Sequence, residues 1–152
     1  MTVSAIFTSA PLSLSELDPS FSRADIEFHG IDHSGASYEG RVFLNNPAAG
    51  EDTPETSENG YAGSFHIFGH GGCFGDEGHC LITPRRTYDP RPPHHLTAAK
   101  KTVIATEAIA RLRDAGIAQV TVTVVPVIAA VTNRCGTEDV LGFDRVALTT
   151  YR

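Results

Sequence analysis

Apolar and polar residues alternate strictly at residues 23–29, where Ala24, Ile26 and Phe28 are interleaved with Asp25, Glu27 and His29. A period of two marks a strand with one face against a core. Asp32-His33-Ser34-Gly35 follows as turn chemistry, since Asp and Ser side chains bond back to nearby backbone and glycine accepts tight turns. Residues 38–45 give a second strand with Tyr38, Gly40, Val42 and Leu44 on one side. The short link between the two predicts a hairpin.

Residues 46–60 are rich in Pro, Gly, Glu, Asp and Thr without apolar periodicity, and predict a surface loop. A third strand is expected over residues 61–68. Residues 69–97 carry a glycine-rich run and then Asp89-Pro90-Arg91-Pro92-Pro93. So long an irregular stretch in a small domain is usually functional or held by something other than secondary structure. Residues 100–116 suit either one helix or a strand leading into a helix near Glu107, with Gly116 as a helix stop. Residues 118–131 hold the strongest β signal, Val120, Val122 and Val124 alternating with Thr121, Thr123 and Val125, and Pro126 predicts an edge or a bulge. Residues 145–151 form a closing strand. The first 22 residues mix Ser, Pro and Leu and predict a leading arm with one short strand near residues 4–7. Five to seven strands and one short helix predict a mainly β fold, an antiparallel β-sandwich or small barrel over residues 23–152.

At 152 residues, 41% hydrophobic and 20% charged, the chain has the make-up of one folded domain. Its net charge is −6 and its 12 Lys and Arg are scattered. Phosphate contacts need clustered cations, so nucleic acid is not the expected partner. No stretch reaches the roughly 18 continuous apolar residues of a membrane span. The first 11 residues lack a signal-peptide plan, so the expected compartment is the cytoplasm, or the exterior if a signal has been removed.

Candidate chemistry concentrates between His66 and Cys80. His66, His70, Cys73, His79 and Cys80 lie in one glycine-rich run that also holds Asp76 and Glu77. Imidazole and thiolate are the donors that zinc and Cu(I) select, and glycines let the backbone double back so that donors converge. On a straight strand His66 and His70 would share a face about 13 Å apart, too far for one ion bonded at about 2 Å. The expected ligands are therefore His70, Cys73, His79 and Cys80, with His66 joining only if the chain bends at Gly69. Copper is the first expectation and zinc the second.

Two other readings of the same residues stand beside this one. Cys73 and Cys80 could form a disulfide closing a tight loop in a structural or interaction domain. Alternatively, three protein ligands with an open position would make a small metalloenzyme. Neither a Gly-x-Ser-x-Gly elbow, a P-loop nor a dinucleotide fingerprint is present, and binding is favoured over catalysis. His29 and His33 flank the first turn and read as a solvated hairpin tip. His94 and His95 point to opposite sides if extended, and Cys135 reads as a lone thiol.

Several runs together resemble the C-terminal domain that follows the catalytic domain in plant-type polyphenol oxidases and bacterial tyrosinases. They are residues 38–46 (YEGRVFLNN), residues 61–65 (YAGSF), Lys100-Lys101-Thr102, Leu112-Arg113-Asp114-Ala115-Gly116, and residues 120–126 (VTVTVVP). The resemblance covers about residues 23–151. It implies a β-sandwich that lies against a copper-oxidase domain, shielding it or assisting its copper loading, and it favours strand-then-helix for residues 100–116. The oxidase domain, with its two sets of three His on a helical bundle, has no counterpart among these seven His. Residues 69–93 read as inserted relative to the plant domain, so no metal ligand carries over. The resemblance thus implies an accessory to a copper-oxidase partner protein rather than a phenol oxidase.

Overall fold

The alternation at residues 23–29 produces the central strand of a three-stranded antiparallel sheet, β3 (Arg23–Ile31), flanked by β6 (Ala99–Ile104) and β9 (Arg145–Tyr151). The computed structural model describes residues 5–70, 87–88, 98–128 and 140–152. A second sheet runs in the order β1 (Phe7–Thr8), β8 (Val122–Val127), β4 (Tyr38–Leu44), β5 (Tyr61–Ile67), again antiparallel. A two-stranded ribbon of β2 (Leu12–Ser13) with β7 (Gln119–Val120) completes the set. The described sheets stay open rather than closing into a barrel, so the sandwich is the architecture adopted.

The leading residues supply two short strands, at residues 7–8 and 12–13, where one near residues 4–7 is expected. Leu14, just beyond them, is buried in the core. The β signal of residues 118–131 divides into β7 and β8 at Thr121. Asn45 takes both backbone groups of that residue: its N–H donates to the Thr121 carbonyl at 3.0 Å, and its side-chain carbonyl accepts from the Thr121 N–H at 2.9 Å. Pro126 pairs with Gly40 on the β4 side and lies past the two residues of β8 that β1 covers. An open edge is where a residue without an N–H is tolerated.

Residues 100–116 are strand then helix. The helix α1 (Thr106–Asp114) carries Glu107 in its first turn and Arg111 and Arg113 in its last, charges that oppose the helix dipole at each end. It stops at Gly116, in the left-handed region at φ 78°. The Ile117 N–H reaches back to the Leu112 carbonyl at 3.1 Å and the Gly116 N–H to that of Arg113 at 2.9 Å, the paired bonds of a Schellman stop. Among the described residues no helix is long and apolar enough to cross a membrane.

The core lies between the two larger sheets. Ile26 and Phe28 of β3 meet Val42 of β4, Phe65 of β5 and Val122 and Val124 of β8, with Ile109 of α1 closing one end. Phe28 lies 4.7 Å from Phe65 and 5.4 Å from Phe143 between ring centres. Gly40 makes this packing possible, because a Cβ there would stand 2.6 Å from the Phe65 ring. A smaller cluster of Phe43, Ala49 and Val125, with Tyr61 against it, sits apart from the main core.

The other face of the β3 sheet is polar yet covered. Asp25 is paired with Arg23 through two contacts of 2.8 Å. Glu27 has His29 Nε2 at 2.9 Å on one oxygen, and Lys100 Nζ at 3.3 Å on the other. Burial pushes the Glu27 carboxyl up, but the bonds from His29 and Lys100 outweigh it and hold it below its ordinary value. A carboxyl lowered on folding stabilises the fold above its unfolded value, and that contribution is lost as pH falls through the folded value. Glu27→Gln should therefore cost about 1–3 kcal/mol at neutral pH. In urea titrations the gap from wild type should close as pH drops below the ordinary value of 4.5. A gap independent of pH would show that the carboxylate charge is not what stabilises this face.

Candidate metal centre

The turn between β3 and β4 is where the described part of the His/Cys run is held. Asp32 begins it, its Oδ1 accepting from the Ser34 N–H at 2.9 Å and the Ser34 hydroxyl at 2.7 Å. Those two bonds hold the Asp32 carboxyl below its usual range, against a smaller opposing effect of burial. The residues after β5 run back against this turn. The Gly69 N–H donates to Ser37 Oγ at 2.9 Å, and the His70 N–H to the His33 carbonyl at 3.0 Å. Only glycine fits at position 69, where a Cβ would stand 2.2 Å from the Gly35 carbonyl oxygen.

This clasp sets the His70 side chain. Its ring centre is 5.1 Å from that of His33, with 69° between the planes, and 5.9 Å from that of Phe68. His70 Nδ1 is buried with no hydrogen-bond partner among the described residues, and the Tyr38 hydroxyl is in the same condition. Burial, with a further contribution from the Asp32 charge, pushes the Tyr38 phenol well above its ordinary value. A buried polar atom without a partner costs about 1–3 kcal/mol, and such atoms are rare enough in folded proteins to need a reason.

Cys73, His79 and Cys80 lie outside the described residues, as do His94, His95 and Cys135. His66 is on β5 opposite Glu39 and is exposed, while its neighbours Phe65 and Ile67 point into the core. No described contact joins His66 to His70. Among the described residues no three His, Cys, Asp or Glu side chains gather as an ion would need. Of the four expected ligands, His70 is the one among the described residues, and imidazole nitrogen is a usual ligand type for copper and zinc.

His29 and His33 are half-buried and engaged rather than the solvated hairpin tip that the sequence predicts. β3 runs on to Ile31, so His29 stays on the sheet and faces Glu27, whereas His33 sits in the turn against His70. His33 is the residue that sequence reasoning passed over. Its signal was its place in a turn joined to the strand next to β5, but nothing in the spacing of residues 33 and 70 announces the contact.

No protein-family model matches the chain, and no curated protein matches it in sequence. Two solved structures of recombinantly expressed latent aurone synthase, a polyphenol oxidase, share its fold. One matches at a TM-score of 0.51 with 17% identity, over 95% of this chain and 23% of the other. The second, co-crystallized with hexatungstotellurate(VI) and soaked in H2O2, matches at a TM-score of 0.51 with 18% identity, over 96% of this chain and 24% of the other. The chain therefore spans about a quarter of the length of the polyphenol oxidase chains it matches. What this protein shares with them, over nearly its whole length, is the fold of one part of a polyphenol oxidase.

Proposed function

We propose that the chain is a metal-binding accessory domain that takes copper first and zinc second, and serves a copper-oxidase partner. Its ligands in this reading are His70, Cys73, His79 and Cys80, with His66 left on the outer face of β5. The observation that carries the reading is the buried Nδ1 of His70, which has no hydrogen-bond partner among the described residues and stands at the entrance to the run that holds the two cysteines. A metal ion is the partner that an imidazole nitrogen in such a place accepts most readily when thiolates follow within ten residues in the sequence. Mixed thiolate and imidazole donors select Cu(I) and zinc over harder cations. The chemistry copper would supply there is storage for transfer, not turnover. The fold shared with part of a polyphenol oxidase supports a copper oxidase as the partner.

Elemental analysis of the purified, unstripped chain, combined with a thiol count under denaturing, non-reducing conditions, tests this. The expected result is close to one copper or zinc per chain, with all three cysteines titrating as thiols. A chain without metal, in which two cysteines fail to titrate, would make this a disulfide-closed interaction domain instead.

A further inference from the structure

The strands at the edges of the two larger sheets are β1, β5, β6 and β9, and the first three are protected. β1 is two residues long. β5 has a register shift against β4 and Gly63 at φ 133°, and it lies against β6, where a Cβ at Gly63 would stand 2.9 Å from Val103. β6 carries Lys100 and Lys101, and its ladder with β3 is broken between Phe28 and Ile31. β9 has none of these devices. Its seven residues keep unbroken register with β3 and hold no charge between Arg145 and Tyr151. Among the described residues nothing pairs with its other side. Short length, charge and bulges are the usual protections of an edge, and a long regular strand lacking them is a template for another strand.

We propose that β9 pairs antiparallel with β9 of a second copy of this chain, about a two-fold axis at Leu148, so that two three-stranded sheets join into one. This is independent of the metal-binding reading. The strand is self-complementary in that register: Leu148 meets the partner's Leu148, Val146 the partner's Thr150, Ala147 the partner's Thr149, and Arg145 the partner's Tyr151. Aliphatic and β-branched residues face one another, and no like charges are opposed. The two Arg145 side chains stand at opposite ends of the pairing, about 20 Å apart.

Two features of the chain favour this occupant. Arg23, opposite Tyr151 in the β3 ladder, already lies over the Tyr151 ring at 5.5 Å, and that ring is still 45% exposed. The partner's Arg145 would reach it from the other neighbouring strand in the same cross-strand relation, a second cation on an aromatic face. The core side of β9 is also left incomplete. Val146 and Leu148 oppose Phe28 and Ile26, yet they are only half-buried where those two are fully buried. The N-terminal arm does not fill the shortfall, since a cleft of about 210 Å³ lies between Phe7 and Leu12 on its side and Phe143 and Val146 on the other.

Sedimentation equilibrium of the full chain over a concentration series, with amide hydrogen exchange on the same samples, tests the pairing. The expected result is a monomer–dimer equilibrium. In a sample that is about nine-tenths dimer, exchange at the outward amides of residues 145–151 should slow about 10-fold, with the β6 edge unchanged. Leu148→Lys sets two ammonium groups face to face on the axis and should weaken the dimer at least about 10-fold. Ile104→Lys, on the β6 edge, should dimerise as wild type does. A chain that stays monomeric throughout, or a dimer whose residues 145–151 exchange at the monomer rate, would overturn the proposal. So would a folded Leu148→Lys variant that dimerises like wild type; if that variant does not fold, the exchange measurement on wild type decides alone.

Discussion

Phe28→Ala should lower the stability of the chain by about 3–5 kcal/mol, among the larger effects a single core truncation produces. Phe28 is fully buried on the central strand of its sheet and reaches Phe65 and Phe143 with ring centres 4.7 and 5.4 Å away. Phe65 belongs to the opposite sheet and Phe143 to the segment entering β9. Removing the ring therefore loosens the join between the two layers, and the neighbours cannot all collapse into the gap. A domain of about 150 residues loses about 2–4 °C of Tm per kcal/mol, so a fall of roughly 6–20 °C is expected. Phe68, at 81% exposed, is the natural control, and Phe68→Ala should stay within about 0.5 kcal/mol of wild type. Equal effects of the two substitutions in urea titrations would place the core somewhere other than between the sheets.

Replacing Cys73 and Cys80 together with Ser should produce the largest functional effect. Hydroxyls are poor ligands for Cu(I), and the two sulfurs are the soft donors of the proposed set. Since changes outside the first shell already cost about 10–100-fold, a fall of at least about 100-fold in Cu(I) affinity is expected. Stability reports the same loss. An ion at 100 times its Kd stabilises a protein by about 2.7 kcal/mol, so copper should raise the Tm of wild type and leave that of the variant unmoved. In the disulfide reading the outcome reverses: the variant would lose stability without any metal present, through loss of loop closure.

The parts of the fold that were legible in the sequence are those where one face is buried and the other is wet. Ala24, Ile26 and Phe28 fixed the face of β3, and Tyr38, Gly40, Val42 and Leu44 that of β4, because a period of two survives only where the two sides differ. Gly116 marked the helix stop through its need for a left-handed φ. Phe43 and Val125 were harder to interpret. Each sits among apolar neighbours and packs in the smaller cluster, so alternation breaks down where both faces of a sheet are covered. Thr121 was equally silent, since its break in the strand depends on Asn45, 76 residues away. The same limit applies to the site. Residues 66–80 drew notice because their donors are dense in sequence, whereas His33 reaches His70 only through the pairing of β4 with β5 and the turn before it. The outward placement of His66 follows from the same ladder, which sets it opposite Glu39.

X-ray absorption on the full chain loaded with one equivalent of Cu(I) addresses metal capture most directly, because it identifies the bound atoms themselves. A first shell containing both sulfur and imidazole nitrogen is the predicted spectrum. A shell of oxygen and nitrogen without sulfur, or a sample that surrenders its copper on simple desalting, would contradict it.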